Sequence, residues 1–141
     1  MTGEGVSAPK WSMGQSIATV ALVVSAYDEA IAYFCDKIGF SLYADTDMGA
    51  GKRWVVVGPH GSGAHLLLAR ADGPVQQAAI GNQTGGRVGF FLETTDFDAD
   101  HARLVSKGVR FLEAPRLEDY GKVAVFEDLY GNKWDLIEPK R

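Results

Sequence analysis

The sequence repeats itself, and that repeat constrains the fold more than any other feature. Tyr27, Ile31, Phe34, Cys35 and Ile38 share one helical stripe, spaced by four, three, one and three residues. Seventy positions further on stand Phe97, His101, Leu104, Val105 and Gly108. A strand precedes each helix, at 17–24 in the first copy and 87–94 in the second. Ser25-Ala-Tyr-Asp28 and Thr95-Asp-Phe-Asp98 read as capping boxes, with Ser25 and Thr95 at the N-caps. Gly39 stops the first helix, and Gly108, offset by one residue, stops the second. Strands at 40–44, 52–57 and 64–69 follow in the first copy, separated by turns at 45–51 and 58–63. In the second, a strand begins at Val109, and strands at 120–127 and 133–138 form a hairpin across 128–132. Each copy therefore reads β-α-β-β-β.

The predicted organisation is a flexible lead-in at 1–16, a first module at 17–71, a linker at 72–86 and a second module at 87–139. The linker is punctuated by Gly73, Pro74, Gly81, Gly85 and Gly86, with a short helical stretch near 75–80. Units of about 60 residues bury too little surface to stand alone, so the two must share a core or pair their sheets. The expected fold class is α+β: two βαβββ modules forming a curved mixed β-sheet half-barrel with the helices outside.

Charge and composition narrow the function. The 141 residues carry 14 Lys and Arg against 18 Asp and Glu, a net charge of −4, which argues against nucleic acid as a partner. No run of apolar residues is long enough to cross a membrane. The first ten residues lack a signal-peptide pattern, and the single cysteine, Cys35, excludes an internal disulfide. Both agree with a cytoplasmic location.

Alternation sorts the first strand of each copy into two faces. Val20, Leu22 and Val24, matched by Phe90, Leu92 and Thr94, belong against the helices. Thr19, Ala21 and Val23, matched by Gly89, Phe91 and Glu93, belong on the opposite face, lining a concavity. A carboxylate there needs a partner, and Glu93 is expected to meet Arg87 or water at the cavity mouth. Trp54 and Arg53 alternate on one strand, leaving open which of them enters the cavity. Trp134, alternating with Asp135, should face its helix.

The paired modules, the opening Val20-Ala-Leu-Val-Val24 with Tyr27-Asp-Glu-Ala-Ile31, the Lys37-Ile-Gly-Phe40 helix exit and the closing Asp128-Leu-Tyr-Gly-Asn-Lys-Trp-Asp-Leu-Ile-Glu-Pro139 resemble the vicinal oxygen chelate superfamily. That is the glyoxalase, bleomycin-resistance and extradiol-dioxygenase group. The resemblance covers residues 17–139. It implies a glyoxalase-like fold and four metal-ligand positions, on the first, fourth, fifth and eighth strands. Here those positions fall on Thr19, on Leu67 (with His65 two residues earlier), on Gly89 and on Asp135. Glycine offers no donor, leucine none and threonine only a neutral hydroxyl, so the family's metal site is not retained.

The expected function is binding of a small organic ligand in the sheet-lined cavity, with no cofactor and as a homodimer, as members resembling this chain bind antibiotics. The expected ligand-binding residues are Thr19, His65, Leu67, Arg87, Gly89, Phe91, Glu93 and Asp135. Arg53, Arg87 and Lys133 are candidates to meet an anionic or carbonyl group. Gln83 and Thr84, in the linker, are candidate donors folded over the cavity. The alternative is a metal-dependent lyase, isomerase or dioxygenase-type enzyme. Its rearranged divalent-metal and catalytic site would use His65, Glu93 and Asp135, brought together by the barrel of a single chain. More simply, these three form a polar network, with Asp135 salt-bridged and His65 hydrogen-bonded near the rim. His60 reads as a solvated turn residue, His101 as half-buried core and Cys35 as an inert buried thiol.

Overall fold

The computed structural model describes residues 14–61 and 63–141, so the predicted lead-in lies outside the described residues as far as residue 13. The first module contains β1 (Thr19–Val24), α1 (Tyr27–Ala32) continued by a π-helical segment (Tyr33–Ile38), β2 (Ser41–Gly49), β3 (Lys52–Gly58) and β4 (His65–Arg70). After α2 (Gly73–Ala79) come β5 (Val88–Glu93), α3 (Phe97–Ser106), β6 (Arg110–Phe111), β7 (Arg116–Glu118), β8 (Gly121–Glu127) and β9 (Lys133–Pro139). Strand order is β1-β4-β3-β2 in one sheet and β5-β9-β8-β6 in the other, with the short β7 pairing β8. β1 runs parallel to β4, and β5 runs parallel to β9. The duplication thus reappears as two mixed sheets of matching order. They do not close into one barrel.

One core serves both modules. Leu22, Val24, Phe34, Val55, Val57 and Leu68 of the first join Phe97, Leu104, Phe126, Trp134 and Leu136 of the second in a single buried cluster. These residues alternate along their strands, so each sheet turns its helix-bearing face inward. Trp134 faces that core, as expected, with its ring 4.7 Å from Phe90 and 6.0 Å from Phe34. Hydrogen bonds cross the same junction: Arg103 Nη2 donates to the Ile38 carbonyl (3.0 Å) and Tyr130 Oη to Glu29 Oε2 (2.7 Å). Each module supplies what the other lacks.

The helix ends differ from the predicted capping boxes. Ala26, not Ser25, is the N-cap of α1, while Ser25 Oγ donates to Glu29 Oε2 instead. The N-cap of α3 is Asp96, whose carboxylate accepts from the Ala99 N–H at 3.2 Å, one residue after the expected Thr95. The one-residue offset between the two glycine stops also has a cause. A π-helical turn accommodates one extra residue before Gly39 (φ 94°), whereas α3 stays α-helical to its end. Val105 consequently leaves the stripe and is exposed, although its repeat mate Cys35 is half-buried.

The predicted turn at 45–51 is mostly strand. β2 runs through Gly49, with two register shifts, and Gly49 pairs with Lys52 across a two-residue reversal. Ala50 holds φ 55° and Gly51 φ 79°, the left-handed pair that such a tight hairpin needs. The linker also folds, into the seven-residue α2 and a segment that runs along β1. Gln83 there accepts from the Val23 N–H (2.9 Å) and donates to the Ala21 carbonyl (2.8 Å). Its amide satisfies the outer edge of β1 as a neighbouring strand would. Thr84 Oγ1 donates to the Arg87 carbonyl at 2.7 Å. Both predicted cavity donors are thus committed to the chain's own backbone.

Candidate functional site

Opposite the core, each sheet keeps a face without a helix. Val56, Leu67 and His65 lie on that face in the first sheet, and Trp54 joins them because Arg53, Val55 and Val57 take the other side. Phe91 and Asp135 are cross-strand partners on the open face of the second sheet, with Glu93 one alternation further. Trp54 and Phe91 are 45% and 60% exposed. Large aromatics displayed this way on an uncovered sheet face mark a candidate binding surface.

Two cavities sit at opposite ends of the β3–β4 pair. The smaller, about 320 Å³, straddles the seam between the modules. Its lining joins His65, Gly58 and Pro59 of the first module to Gly89, Phe91 and Trp134 of the second. The larger, about 630 Å³, lies beside Trp54, Leu67, Arg70 and α2. Both volumes are within the range of small-molecule sites.

Three of the expected ligand residues, His65, Gly89 and Phe91, therefore meet at the seam. Thr19 is the β1 partner of His65, and Leu67 borders the other cavity. Glu93 and Asp135 remain on the open face of the second sheet. Arg87 turns back on its own strand, donating from Nε to the Val88 carbonyl, and does not pair with Glu93. Arg53 is also taken, bridging Asp28 (2.9 Å) and Asp45 (2.8 Å).

The details of His65 and Asp135 differ from expectation. Among the described residues the His65 side chain makes no hydrogen bond: its ring stacks on Tyr43 (4.1 Å between centroids), and Nε2 is buried without a partner. It also lies flat over Gly58, where a Cβ would stand 2.5 Å from the imidazole. Among the described residues Asp135 makes no salt bridge, and its Oδ1 is likewise buried and unpartnered. Burial pushes the Asp135 carboxyl above the usual range, opposed by Arg116 and reinforced by Glu113. An orphaned acceptor beside an exposed aromatic is a feature of sites that expect a ligand or water.

That shift gives a pH prediction. A carboxyl whose folded pKa is raised costs stability when ionised, and the cost vanishes as pH falls below its ordinary value. Asp135→Asn is therefore expected to raise the melting temperature by about 1–3 °C at pH 7. The gap over the parent closes toward pH 4. Paired thermal melts across that pH range check it; a gap independent of pH would refute the assignment.

Gly89 has a structural reason. It sits at a register shift between Val88 and Phe90, a bulge in the β5–β9 ladder. A Cβ on Gly89 would stand 2.3 Å from Thr84 Cγ2, so the linker already fills the place of a side chain. Position 89 therefore cannot host a ligand without moving the linker. His65, Glu93 and Asp135 are not gathered as the single-chain barrel would require: among the described residues, no three His, Cys, Asp or Glu side chains are grouped to hold a metal ion. The donors do not fit the family's metal.

The remaining sequence candidates fall into the packing. His101 is half-buried between Phe97 (5.5 Å) and Phe111 (4.4 Å), and burial raises the Cys35 thiol. Of the aromatics, Phe126 is core, while Tyr120 is exposed. His60 is exposed but bonded to Ser41 Oγ at 2.8 Å. No helix among the described residues is long and apolar enough to cross a membrane.

Residues 16–136 match the family described as the Glyoxalase/Bleomycin resistance protein/Dioxygenase superfamily. An uncharacterized protein of Shewanella frigidimarina is 55% identical over 128 residues, covering 89% of this chain and 95% of that one. Among solved structures, UcmS2 superposes with a TM-score of 0.77 at 27% identity, covering 89% of this chain and 98% of its own. TnmS3, an antibiotic binding protein from Streptomyces sp. CB03234, gives 0.73 at 30% identity, covering 91% and 98%.

Proposed function

The chain belongs to the Glyoxalase/Bleomycin resistance protein/Dioxygenase superfamily, and from that premise we propose that it binds a small aromatic organic molecule without metal-dependent chemistry. The observation that carries this is the seam cavity, where Phe91 stands 60% exposed beside Pro59 and the stacked ring of His65. Such a wall takes a planar ligand by stacking, each aromatic contact contributing about 0.5–1.5 kcal/mol beyond area burial. The similarity to an antibiotic binding protein at 30% identity supports the same class of ligand.

The protein acts as a homodimer in this proposal. Each open face carries exposed aromatics that a second copy would cover, and the ligand would lie between the two layers. A lone half-buried cysteine suits a reducing cytoplasm.

Calorimetric titration of the full chain with bleomycin tests the ligand class. Micromolar or tighter binding, insensitive to EDTA and weakened about tenfold by Phe91→Ala, is the expected result. Absence of binding overturns it. So does stoichiometric metal in the purified protein that is lost on His65→Ala or Asp135→Ala. Light scattering reads the dimer in the same samples, and a monomer at micromolar concentration would remove that part.

A further inference from the structure

The larger cavity marks a break in the first sheet. β3 and β4 pair only at Val56–Leu67 and Val57–Leu66. Beyond that point each strand still pairs outward, β3 with β2 as far as Lys52 and β4 with β1 as far as Arg70. Between them the ladder stops, and the 630 Å³ slot opens. Tyr27 of α1 props the slot open: its hydroxyl accepts from the Arg53 N–H at 3.1 Å, in place of a strand carbonyl. The Tyr27 ring lies between two guanidinium groups, Arg53 at 5.1 Å and Arg70 at 5.3 Å.

The charges here are unequal. Arg53 is neutralised by Asp28 and Asp45. Arg70 and Lys52, which also line the slot, have no carboxylate within 4.0 Å among the described residues, although Asp72 stands at the mouth. Stacking on Tyr27 holds the Arg70 guanidinium in one place at little entropic cost, which suits recognition of a planar anion. The Trp54 ring forms a wall, and the hairpin turn with Ala50 at φ 55° forms the rim.

We propose that the slot between the parted ends of β3 and β4 is a binding site for an aromatic carboxylate. Its anionic group meets Arg70 and Lys52, and its ring lies against Trp54. The site shares no lining residue with the seam cavity and does not depend on it.

Fluorescence and calorimetric titrations of the full chain with 2-naphthoate and its uncharged amide test this. Naphthoate is expected to bind at least tenfold tighter than naphthamide. Arg70→Gln and Lys52→Gln should each reduce naphthoate affinity several-fold and narrow that preference, while Arg70→Lys retains part of it. Phe91→Ala, at the seam cavity, should leave the preference for the acid over the amide in place. Lys52→Gln serves should Arg70→Gln disturb the fold, because among the described residues no hydrogen bond or ion pair holds the Lys52 side chain. Equal affinity for acid and amide, no binding of either, or binding that responds to Phe91→Ala and not to Arg70→Gln or Lys52→Gln overturns the proposal. The last of these would leave the seam cavity as a ligand site.

Discussion

Asp128→Ala is expected to lower stability by about 3–4 kcal/mol, the loss that follows when several buried donors share one acceptor and it is removed. Asp128 is 5% exposed. Its carboxylate accepts from the Trp134 indole (3.0 Å), the Asn132 side-chain amide (3.2 Å) and the N–H groups of Tyr130 (3.0 Å) and Asn132 (3.1 Å). Alanine leaves the indole N–H and the Asn132 amide in the interior without a partner. The change also loosens the loop that turns β8 into β9, against which the linker packs through Gly81. Asp128→Asn keeps one acceptor and should lose less than half as much. Urea unfolding reads both, and Trp134→Phe in the alanine background separates the indole's share, because the two losses overlap and do not add. A loss below about 1 kcal/mol would mean that water replaces the carboxylate.

Gly89→His, the change that would put a histidine where the family has a ligand, is expected to cost about 3 kcal/mol and to gain no metal. The new Cβ would stand 2.3 Å from Thr84 Cγ2, and Thr84 is held by its bond to the Arg87 carbonyl. The linker must shift, and with it Gln83, which occupies the edge of β1. Thr84→Ala removes the clashing methyl and should recover about 1 kcal/mol in the double variant. Neither variant should retain stoichiometric zinc or nickel after dialysis, since Leu67 has no donor and Thr19 has only a hydroxyl. A metal-retaining Gly89→His protein would show that the bulge at position 89 alone withholds a metal site from this chain.

The module plan was legible because it is written locally. Apolar spacing of three and four on Tyr27–Ile38 carries its own period, and the two-residue repeat of a strand sorts the almost continuously apolar β1 and the alternating β9 into faces. That period puts Trp134 on the core side and Glu93 on the open one. The caps fall one residue later than the pattern predicts, because Ser25 and Thr95 match it as well as the residues that follow them. The β2–β3 hairpin is longer than the pattern predicts, since Asp45, Asp47 and Gly49 look like turn residues yet pair across the ladder.

The site was less legible. Faces and resemblance single out His65, Gly89 and Phe91, but their meeting at one cavity needs the two modules docked. Nothing local singles out Lys52 and Arg70. Their signal lies in the parting of β3 from β4, which no local pattern announces, and in the withdrawal of Arg53 into ion pairs.

By itself, then, the sequence determined two βαβββ modules, most of the residues each turns inward, and which residues stand at the positions where the resemblance implies metal ligands. Tertiary structure alone decided how the modules meet, through a single core on their helix faces, leaving the sheets unclosed. It decided that Gln83 seals β1 from sixty residues away, that Thr84 fills the space above Gly89, and that Tyr27 wedges a sheet open. Period and propensity act over a few residues, whereas these contacts join positions far apart in the chain. Only the packed fold brings them together.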